Sequence, residues 1–376
     1  MRAVEVGSGA WSWFADPRAV VSGGLVYVGF IDGAGDVRVA ALDRAAALVT
    51  TATLHRGLGV DDHHNPALLL RADGRVQAFY SGHTGPDLFF RVGESIAQWG
   101  PEQRVGTNTP GSRGYTYPNP VQLAAENGRI HLFWRGGDFN PAFSTSADGL
   151  AWAPAETLVR VAGQRPYVKV ASDGIATIHV AFTDGHPRET ATSLFYARYV
   201  AGSWFQAGGR RIGAPPFAPG DADLVWDVAP TGHRAWVHDV AVDAAGLPRI
   251  VYAVFHSPTD HRYRHARWTG TAWQDRELTP AGSFFPEDGG EKQYSGGVVF
   301  DHAHPAVVYL SRQVAAQWQI ERWETTDDGV TWSRRLLTPG SLEKNVRPAV
   351  ARGGGPLWMR GGYVNYRRYR TSIIAE

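Results

Sequence analysis

Residues 61–85 read DDHHNPALLLRADGRVQAFYSGHTG, in which two short apolar runs flank a turn. The dipeptide Asp73-Gly74 between the runs is typical of the two-residue turns that join antiparallel strands. The stretch therefore predicts a β-hairpin. Histidines lie at both of its ends, with His63 and His64 before the first strand and His83 after the second.

The second apolar run of this hairpin recurs along the chain. Its seven occurrences are Val26–Phe30, Val76–Tyr80, Ile130–Trp134, Ile178–Phe182, Ile250–Phe255, Val307–Leu310 and Leu357–Met359. Successive occurrences begin 50, 54, 48, 72, 57 and 50 residues apart, and no long segment has the apolar period of a helix. The repeat predicts an all-β chain that forms a seven-bladed β-propeller, as a single domain over residues 1–376. A pair of β-sandwiches is the alternative, but it gives no reason for the regular interval.

Two segments that end in tryptophan support the same fold. They are STSADGLAWAPA, from Ser144, and TTDDGVTWSR, from Thr325. Both resemble the Asp-box, Ser/Thr-x-Asp-x-Gly-x-Thr-Trp, a hairpin signature of sialidase-like propellers. The longest interval between apolar runs predicts a loop insertion at Gly213–Trp236, which would narrow one end of a cleft and favour cleavage at the ends of a substrate chain.

Composition excludes several classes of function. The chain has 376 residues and no cysteine, which rules out disulfides, thiolate metal sites and cysteine nucleophiles. Lys and Arg number 37 against 36 acidic residues, so we expect neither nucleic acid nor an anionic membrane as a partner. With no run of 18 uncharged apolar residues, we expect a soluble protein and a monomer. The sequence does not distinguish a secreted or periplasmic location from a cytoplasmic one.

Polar residues, many of them cationic, are concentrated at the predicted strand ends. Antiparallel pairing places the start of the first strand of each repeat beside the end of the second, on one rim of the propeller. First-strand starts carry Asp16, Arg18, His63, His64, Tyr117, Arg165, Tyr167, Lys169, His238, Asp239, Lys292, Tyr294 and Arg347. Second-strand ends carry Asp32, His83, Arg135, Asp184, His186, Arg188, His256, Arg312 and Arg360. A rim with many cations and few carboxylates suits a substrate that bears a carboxylate or a sulfate.

This inventory favours one reaction over another. Glycoside hydrolysis normally requires two carboxyl groups on either side of the bond, and the rim offers only Asp16, Asp32, Asp184 and Asp239. β-Elimination from a uronate requires a cation on the carboxylate, a base for the C5 proton and an acid for the leaving oxygen. Arginine, histidine and tyrosine suit these tasks. A lyase is therefore the favoured hypothesis, with a hydrolase that removes rhamnose from glucuronate and a non-catalytic glycan-binding propeller as alternatives.

The stretch from Asp61 to Gly85 resembles the BNR-repeat propeller lyases, together with YTYPNPVQLAAENGRIHLFWRGGDFNPAFSTSADG and RPYVKVASDGIATIHVAFTDGHPRE. That group includes ulvan lyases and lyases that cut rhamnose-α-1,4-glucuronate ends from arabinogalactan-type glycans. The resemblance extends from about Asp61 to Trp332. It implies an acidic oligosaccharide or polysaccharide substrate that contains glucuronate and rhamnose.

The resemblance also implies site residues. Its two histidines map onto His63 and His83, and its tyrosine and arginine onto Tyr117 and Arg135, which lie 18 residues apart where about 16 are expected. Arg135 and His63 would neutralise the uronate carboxylate, whereas Tyr117 and His83 would transfer protons in an order that the sequence leaves open. The residues assigned to substrate binding are Arg188, His64, Asn140, Tyr167 and Arg312.

We expect the reaction to need no cofactor and no catalytic metal. Propellers often contain a structural Ca²⁺ or Zn²⁺, and the sequence leaves that open. His233, His238 and Asp239 form the only candidate group for a metal, and a hydrogen-bonded rim network is the preferred interpretation of these three residues.

Overall fold

The computed structural model describes residues 3–376, which form seven antiparallel sheets arranged as a β-propeller. The predicted fold class is therefore confirmed. These residues group into two compact units, one of residues 3–156 with 349–376 and the other of residues 157–348. A single domain over residues 1–376 stays a prediction. Within the described residues, no helix has both the length and the apolar character needed to cross a bilayer.

The first unit contains the first three blades and most of the seventh. The chain begins with β1 (Val4–Ser8), which belongs to the seventh blade. Blade one consists of β2 (Ala19–Ser22), β3 (Leu25–Ile31), β4 (Val37–Asp43) and β5 (Leu48–His55). Blade two consists of β6 (Ala67–Leu70), β7 (Val76–Ser81), β8 (Leu88–Ser95), β9 (Gln98–Trp99) and β10 (Gln103–Arg104). Blade three consists of β11 (Thr116–Leu123), β12 (Arg129–Arg135), β13 (Pro141–Ser146) and β14 (Glu156–Thr157).

The second unit contains blades four to six. Blade four consists of β15 (Tyr167–Ser172), β16 (Thr177–Thr183), β17 (Leu194–Val200), β18 (Ser203–Phe205) and β19 (Asp223–Trp226). Blade five consists of β20 (Arg234–Val242), β21 (Pro248–Ser257), β22 (Asp260–Trp268) and β23 (Trp273–Gly282). Blade six consists of β24 (Val298–Phe300), β25 (Val307–Val314), β26 (Gln317–Glu324) and β27 (Ser333–Leu336). Blade seven consists of β28 (Asn345–Ala351), β29 (Gly355–Asn365) and β30 (Arg368–Ala375), with β1 at its edge.

The predicted apolar runs are the second strands of the seven blades, and this prediction is confirmed at every repeat. These strands are apolar without alternation because both faces of each sheet are covered by neighbouring sheets. In the first unit, for example, Phe79 and Phe90 of blade two pack in one buried cluster with Leu132 and Trp134 of blade three. The core of this unit therefore lies between sheets.

Both Asp-box segments fold as the resemblance implies. In blade three, Oδ1 of Asp148 accepts hydrogen bonds from the N–H groups of Leu150 and Ala151 at 2.8 and 2.9 Å. The hydroxyl of Ser146 donates to the same oxygen at 3.0 Å and accepts from the N–H of Gly149. In blade six, Asp327 bonds to the hydroxyl of Thr325 and the N–H of Thr331 in the same way.

Three details of the sequence-based description are corrected. Within Gly213–Trp236, β19 pairs with β17 and β20 begins at Arg234, so this insertion is only partly a loop. It extends the outer edge of its own sheet, and its position lends no support to cleavage at chain ends. His238 and Asp239 lie inside β20 rather than at its start. Arg360 lies inside β29, and the turn after that strand consists of residues 366–367.

Candidate active site

A buried carboxylate organises a group of side chains in the first unit. Asp61 precedes a short 3-10 turn, Asp62–His64, that leads into β6. Its Oδ1 atom accepts a hydrogen bond from the N–H of His63 at 3.0 Å and another from the Nδ1–H of His63 at 2.6 Å. From the other side, the N–H of Asp62 donates to the carbonyl of Tyr366 at 2.8 Å. The backbone and the imidazole of this turn are therefore both fixed.

His83 follows β7 in a turn that is attached to the next blade. Thr84 has a left-handed φ of 57°, and its N–H donates to the hydroxyl of Thr116 at 2.8 Å. The Nδ1–H of His83 donates to Oδ2 of Asp61 at 3.3 Å. The His83 side chain is 23% exposed, whereas that of His63 is 5% exposed. Of the two imidazoles, His83 is therefore the more accessible to solvent.

The two imidazoles form a stacked pair on one carboxylate. Their ring centroids lie 3.8 Å apart and their planes differ by 9°. Each ring presents Nδ1 to a different oxygen of Asp61, so Nε2 of each ring faces away from the carboxylate. The predicted hairpin of residues 61–85 thus places its terminal histidines in direct contact.

Tyr117 joins this pair from a distorted part of β11. Thr116 pairs with Arg135 and Asn119 with Phe133, so residues 117 and 118 together oppose the single residue between those partners. This is a β-bulge, and Tyr117 has a φ of 62°, a conformation that costs about 1–3 kcal/mol in a non-glycine residue. The bulge and the 3-10 turn Ala124–Glu126 supply the extra residues between Tyr117 and Arg135.

Arg135 ends β12 and places a buried cation beside the tyrosine. Its Nη2 donates to the hydroxyl of Thr116 at 3.2 Å. Its guanidinium carbon lies 4.9 Å from the ring centroid of Tyr117 and 5.2 Å from that of Phe139. The Tyr117 ring is in turn 5.2 Å from the His63 ring. The structure therefore brings together the four residues expected to form the centre of the site.

The protonation states of this group differ from residue to residue. Burial by itself would raise the pKa of Asp61, but the charge of His63 and the hydrogen bonds from both imidazoles hold that pKa far below its usual range. Burial opposes the charge of His63, yet the adjacent carboxylates of Asp61 and Asp62 raise the pKa of His63 above its usual value. Burial, with the positive charges of His63 and Arg135, lowers the pKa of His83 to about 4. Near neutral pH His83 is therefore uncharged, and His63 is the imidazole of the pair whose charged form is favoured.

The C-terminal hairpin also contributes side chains to the site, which the sequence did not indicate. The Tyr366 ring meets both imidazoles edge-on, 5.2 Å from His63 and 5.7 Å from His83. Arg367 packs on Tyr366, and its Nε lies 3.4 Å from Oδ2 of Asp61. The Tyr363 hydroxyl donates to Asp62 at 2.5 Å. The ends of the second strands meet at the rim. This turn would therefore have been identified as part of the site if the sequence had shown that β29 ends at Asn365.

Two other predicted residues of this unit have local roles. His64 donates from Nδ1 to the carbonyl of Gly59 at 2.9 Å. Its neighbour His63, not His64, is the histidine that stacks on His83. The backbone of Asn140 closes the turn after β12, where its carbonyl accepts from the N–H of Gly136 at 2.9 Å.

Three predicted substrate-binding residues lie in the second unit. Tyr167 packs edge-on against His186 and Trp236, with ring centroids 5.3 and 5.4 Å away. Arg188 forms ion pairs with Glu189 and Glu291. Arg312 forms a two-point ion pair with Glu321, at 2.7 and 3.1 Å. The guanidinium of Arg312 is thus engaged within its own sheet, which favours a structural role for it.

One group of potential metal ligands occurs among residues 3–376, and it is the cluster just described. Suitable atoms of Asp61, His63 and His83 lie within 4.8 Å of one another. A nitrogen ligand points its lone pair along its ring plane, and these two rings are nearly parallel and 3.8 Å apart. The two Nδ1 lone pairs therefore cannot converge on one Zn²⁺ at about 2.0–2.1 Å. The arrangement favours hydrogen bonds over metal ligation.

The candidate metal group His233, His238 and Asp239 is not among the clusters of residues 3–376 that could hold a metal ion. His233 stacks on His256, with ring centroids 4.0 Å apart. Asp239 instead accepts hydrogen bonds from the N–H of Phe300 and from Nε2 of His302, at 2.9 and 3.0 Å. Asp239 therefore belongs to a hydrogen-bonded network, as the preferred interpretation of this group had it.

The four candidate carboxylates of a hydrolase are used in local structure. Asp16 pairs with Arg18 at 2.9 Å. Asp32 accepts from two backbone N–H groups of its own turn, and Asp184 accepts from the N–H of Ser193. Asp239 is bonded as described above. These local contacts favour a structural role for the four carboxylates over that of the pair of carboxyl groups that hydrolysis requires.

Comparisons with known proteins agree with the architecture. The sequence model of a family described as BNR repeat-containing matches residues 25–281. No curated protein matches the chain by sequence.

Several solved structures share the fold. An ulvan lyase of the polysaccharide lyase family PL25 aligns with a TM-score of 0.77 and 16% identity, over 100% of this chain and 96% of its own. The same type of enzyme bound to -[GlcA(1-4)Rha3S]- aligns with a TM-score of 0.75 and 15% identity, over 99% and 95% of the two chains. The polysaccharide lyase Uly1 aligns with a TM-score of 0.63 and 13% identity, over 98% and 92%.

Proposed function

This chain belongs to the BNR repeat-containing family, and from the site on its propeller we propose that it is a polysaccharide lyase. It would cleave a rhamnose–glucuronate type of linkage by β-elimination at the uronate. One observation carries the proposal: two stacked imidazoles share Asp61, beside a tyrosine and a buried arginine. Structural likeness to polysaccharide lyases, one of them bound to a glucuronate–rhamnose sulfate chain, supports the choice of substrate.

The carboxylate of the uronate would bind between Arg135 and His63. A uronate resists loss of its C5 proton because the resulting anion adds charge next to a carboxylate. Two cations at that carboxylate stabilise the developing negative charge. Arg135 is oriented by Thr116, and the adjacent carboxylates of Asp61 and Asp62 raise the pKa of His63, which favours its charged form. These two cations would therefore neutralise the uronate carboxylate, as a metal ion does in other sites. We propose that the reaction needs no metal or cofactor.

The remaining two groups would transfer the protons. His83 is neutral near pH 7 and donates Nδ1–H to Asp61, which leaves the lone pair on Nε2 available to accept the C5 proton. Tyr117 has a hydroxyl proton that it can give to the leaving oxygen. As the C5–H bond breaks, its electrons form the C4–C5 double bond and the C4–O bond breaks. We therefore assign His83 as base and Tyr117 as acid.

The test follows the absorbance of the unsaturated uronate in the ultraviolet, with ulvan and gum arabic as substrates. We expect the wild-type protein to produce it, and His83→Ala and Tyr117→Phe to lose about 10²–10⁴-fold in rate while still folded. His256→Ala is a matched control, because His256 is an exposed histidine of the second unit and we expect its loss to leave the rate unchanged.

Product analysis separates the alternatives. Products with a saturated glucuronate and a simple reducing end would show a hydrolase, and the lyase proposal would be wrong. Binding of acidic oligosaccharide without any product after long incubation would show a glycan-binding propeller.

A further inference from the structure

An unpaired arginine lies next to the site without a part in the reaction described above. Arg113 is exposed, and its guanidinium carbon lies 4.9 Å from the ring centroid of Phe139. Arg75, by contrast, pairs with Asp73 at 2.7 Å. Across residues 3–376, no carboxylate lies within ion-pair distance of Arg113. Its charge is therefore available to a ligand.

The same phenyl ring contacts the cation of the proposed site. The guanidinium carbon of Arg135 lies 5.2 Å from the Phe139 centroid and that of Arg113 lies 4.9 Å from it, so the two carbons are at most 10.1 Å apart. Neighbouring sugars of one chain can span such a distance. Two cations this close repel each other, and an anionic ligand that bridges them removes the repulsion.

The loop that carries Arg113 is rigidly attached to its surroundings. The N–H of Arg113 donates to the carbonyl of Gly137 at 3.0 Å, and the N–H of Tyr115 donates to the carbonyl of Gly85 at 2.7 Å. Gly114 packs so closely that a Cβ atom there would overlap the Gly85 carbonyl. Phe139 has a φ of 67°, and its ring contacts the guanidinium groups of both arginines. Backbone contacts therefore fix the base of Arg113, and the ring of Phe139 supports its charged end.

We propose that Arg113 binds a second anionic group of the glycan, a sulfate ester or a second carboxylate, next to the uronate that Arg135 binds. This inference rests on the proposed function for the position of the uronate. A guanidinium binds a sulfate or a carboxylate through the same paired N–H donors, so the structure points to an oxyanion. The experiment distinguishes a sulfate ester from a second carboxylate.

The experiment measures binding by isothermal titration in a Tyr117→Phe background, so that turnover does not interfere. Three probes are compared. The first is a sulfated ulvan oligosaccharide, the second is an unsulfated oligosaccharide that contains a single uronate, and the third is an unsulfated oligosaccharide that contains two uronates. We expect Arg113→Gln to weaken binding of at least one doubly charged probe about tenfold and to leave the singly charged probe unchanged. Arg129→Gln is the control, because Arg129 is an exposed arginine at the opposite end of β12.

Each result decides a part of the proposal. Weaker binding of the sulfated probe identifies a sulfate subsite, and weaker binding of the two-uronate probe identifies a carboxylate subsite. Equal losses for all three probes, or no loss for any, would overturn the role of Arg113. Failure of the proposed function is separately visible, because the wild-type protein would then give no unsaturated product although these affinities could still be measured.

Discussion

Asp61 connects the two imidazoles of the site, and its role can be tested apart from catalysis itself. It accepts hydrogen bonds from Nδ1 of both rings and touches no substrate atom in the mechanism proposed above. An asparagine at this position would remove the charge and one acceptor, so each imidazole would lose its fixed orientation and protonation state. We therefore regard Asp61 as a positioning residue.

The first prediction concerns Asp61→Asn. We expect kcat to fall about a hundredfold with a small change in KM, because His63 and His83 lose their alignment rather than their presence. The alkaline limb of the pH–rate profile should also move to lower pH, since the pKa of His63 falls without the carboxylate. Asp227→Asn, at an exposed turn, is the control. An unchanged profile together with a lower rate would indicate a merely structural role.

The second prediction concerns the pH dependence of the wild-type enzyme. Because the pKa of His83 is about 4, activity should decline as pH falls toward that value and His83 becomes protonated. Because the pKa of His63 is raised, activity should decline on the alkaline side only above pH 6.5, where His63 loses its charge. A plot of kcat/KM against pH measures both limbs, which report the coupled pair rather than either residue alone. A single acid limb near pH 6.5 would contradict the assignment.

The same pKa shifts make the stability of the folded protein depend on pH. The folded-state pKa of His63 is raised, so its pairing with Asp61 stabilises the protein below about pH 6.5 and this contribution disappears as pH rises through the folded-state pKa. The pKa of Asp61 is lowered, so its contribution is present above about pH 3.9 and disappears as pH falls through its folded-state value. Both contributions are therefore present together in the mildly acidic range.

At the scale of single elements, the Asp-box turn of blade three gives the third prediction. Asp148→Ala removes three hydrogen bonds from one turn, which we expect to lower the free energy of unfolding by about 1–2 kcal/mol and Tm by about 1–3 °C. Activity should stay unchanged, because this turn follows the end of β13 that pairs with the start of β12, away from Arg135. Calorimetry checks the shift, and Asp227→Ala, which removes one exposed hydrogen bond, is the control. An equal Tm for both variants would contradict the argument.

Strands were more predictable from the sequence than the ends of strands. The seven second strands are apolar on both faces, so a short run of letters such as VQAFY is sufficient to identify them. The bulge at Tyr117 depends on pairing with β12, and no local pattern signals it. The end of β29 was misplaced because GGYVN contains two glycines, which usually mark a turn. The site residues Tyr366 and Arg367 were missed for that reason.

At the scale of the whole molecule, the seventh blade combines residues from both ends of the sequence. β1 forms its edge by pairing with β30, where Val4 lies beside Ala375 and a bulge separates Glu5 from Gly7. Val6 is 2% exposed and faces the core, whereas Ser8 of the same strand is exposed. The sequence repeats do not reveal that β1 belongs to the seventh blade, because β1 alone is too short to be recognised as a strand of another repeat.

The fourth prediction tests this strand. Val6→Asp places a carboxylate in an apolar setting, and we expect the free energy of unfolding to fall by about 3 kcal/mol, with Tm lower by about 4 °C. Ser8→Asp introduces the same group at an exposed position of β1 and should have little effect. Both are measured by scanning calorimetry. A Val6→Asp protein as stable as the Ser8→Asp protein would show that β1 adds nothing to the seventh blade.

The pairing of β1 with β30 also has a consequence for biosynthesis. During synthesis β1 is made long before its partner strand β30, so this sheet forms through contacts of very high contact order. A circular permutant with the adjacent ends Val4 and Ala375 joined by a linker, and new ends opened in the turn between β4 and β5, would turn that distant pairing into a local hairpin. Such a permutant should acquire its seventh blade earlier during translation and refold faster from denaturant.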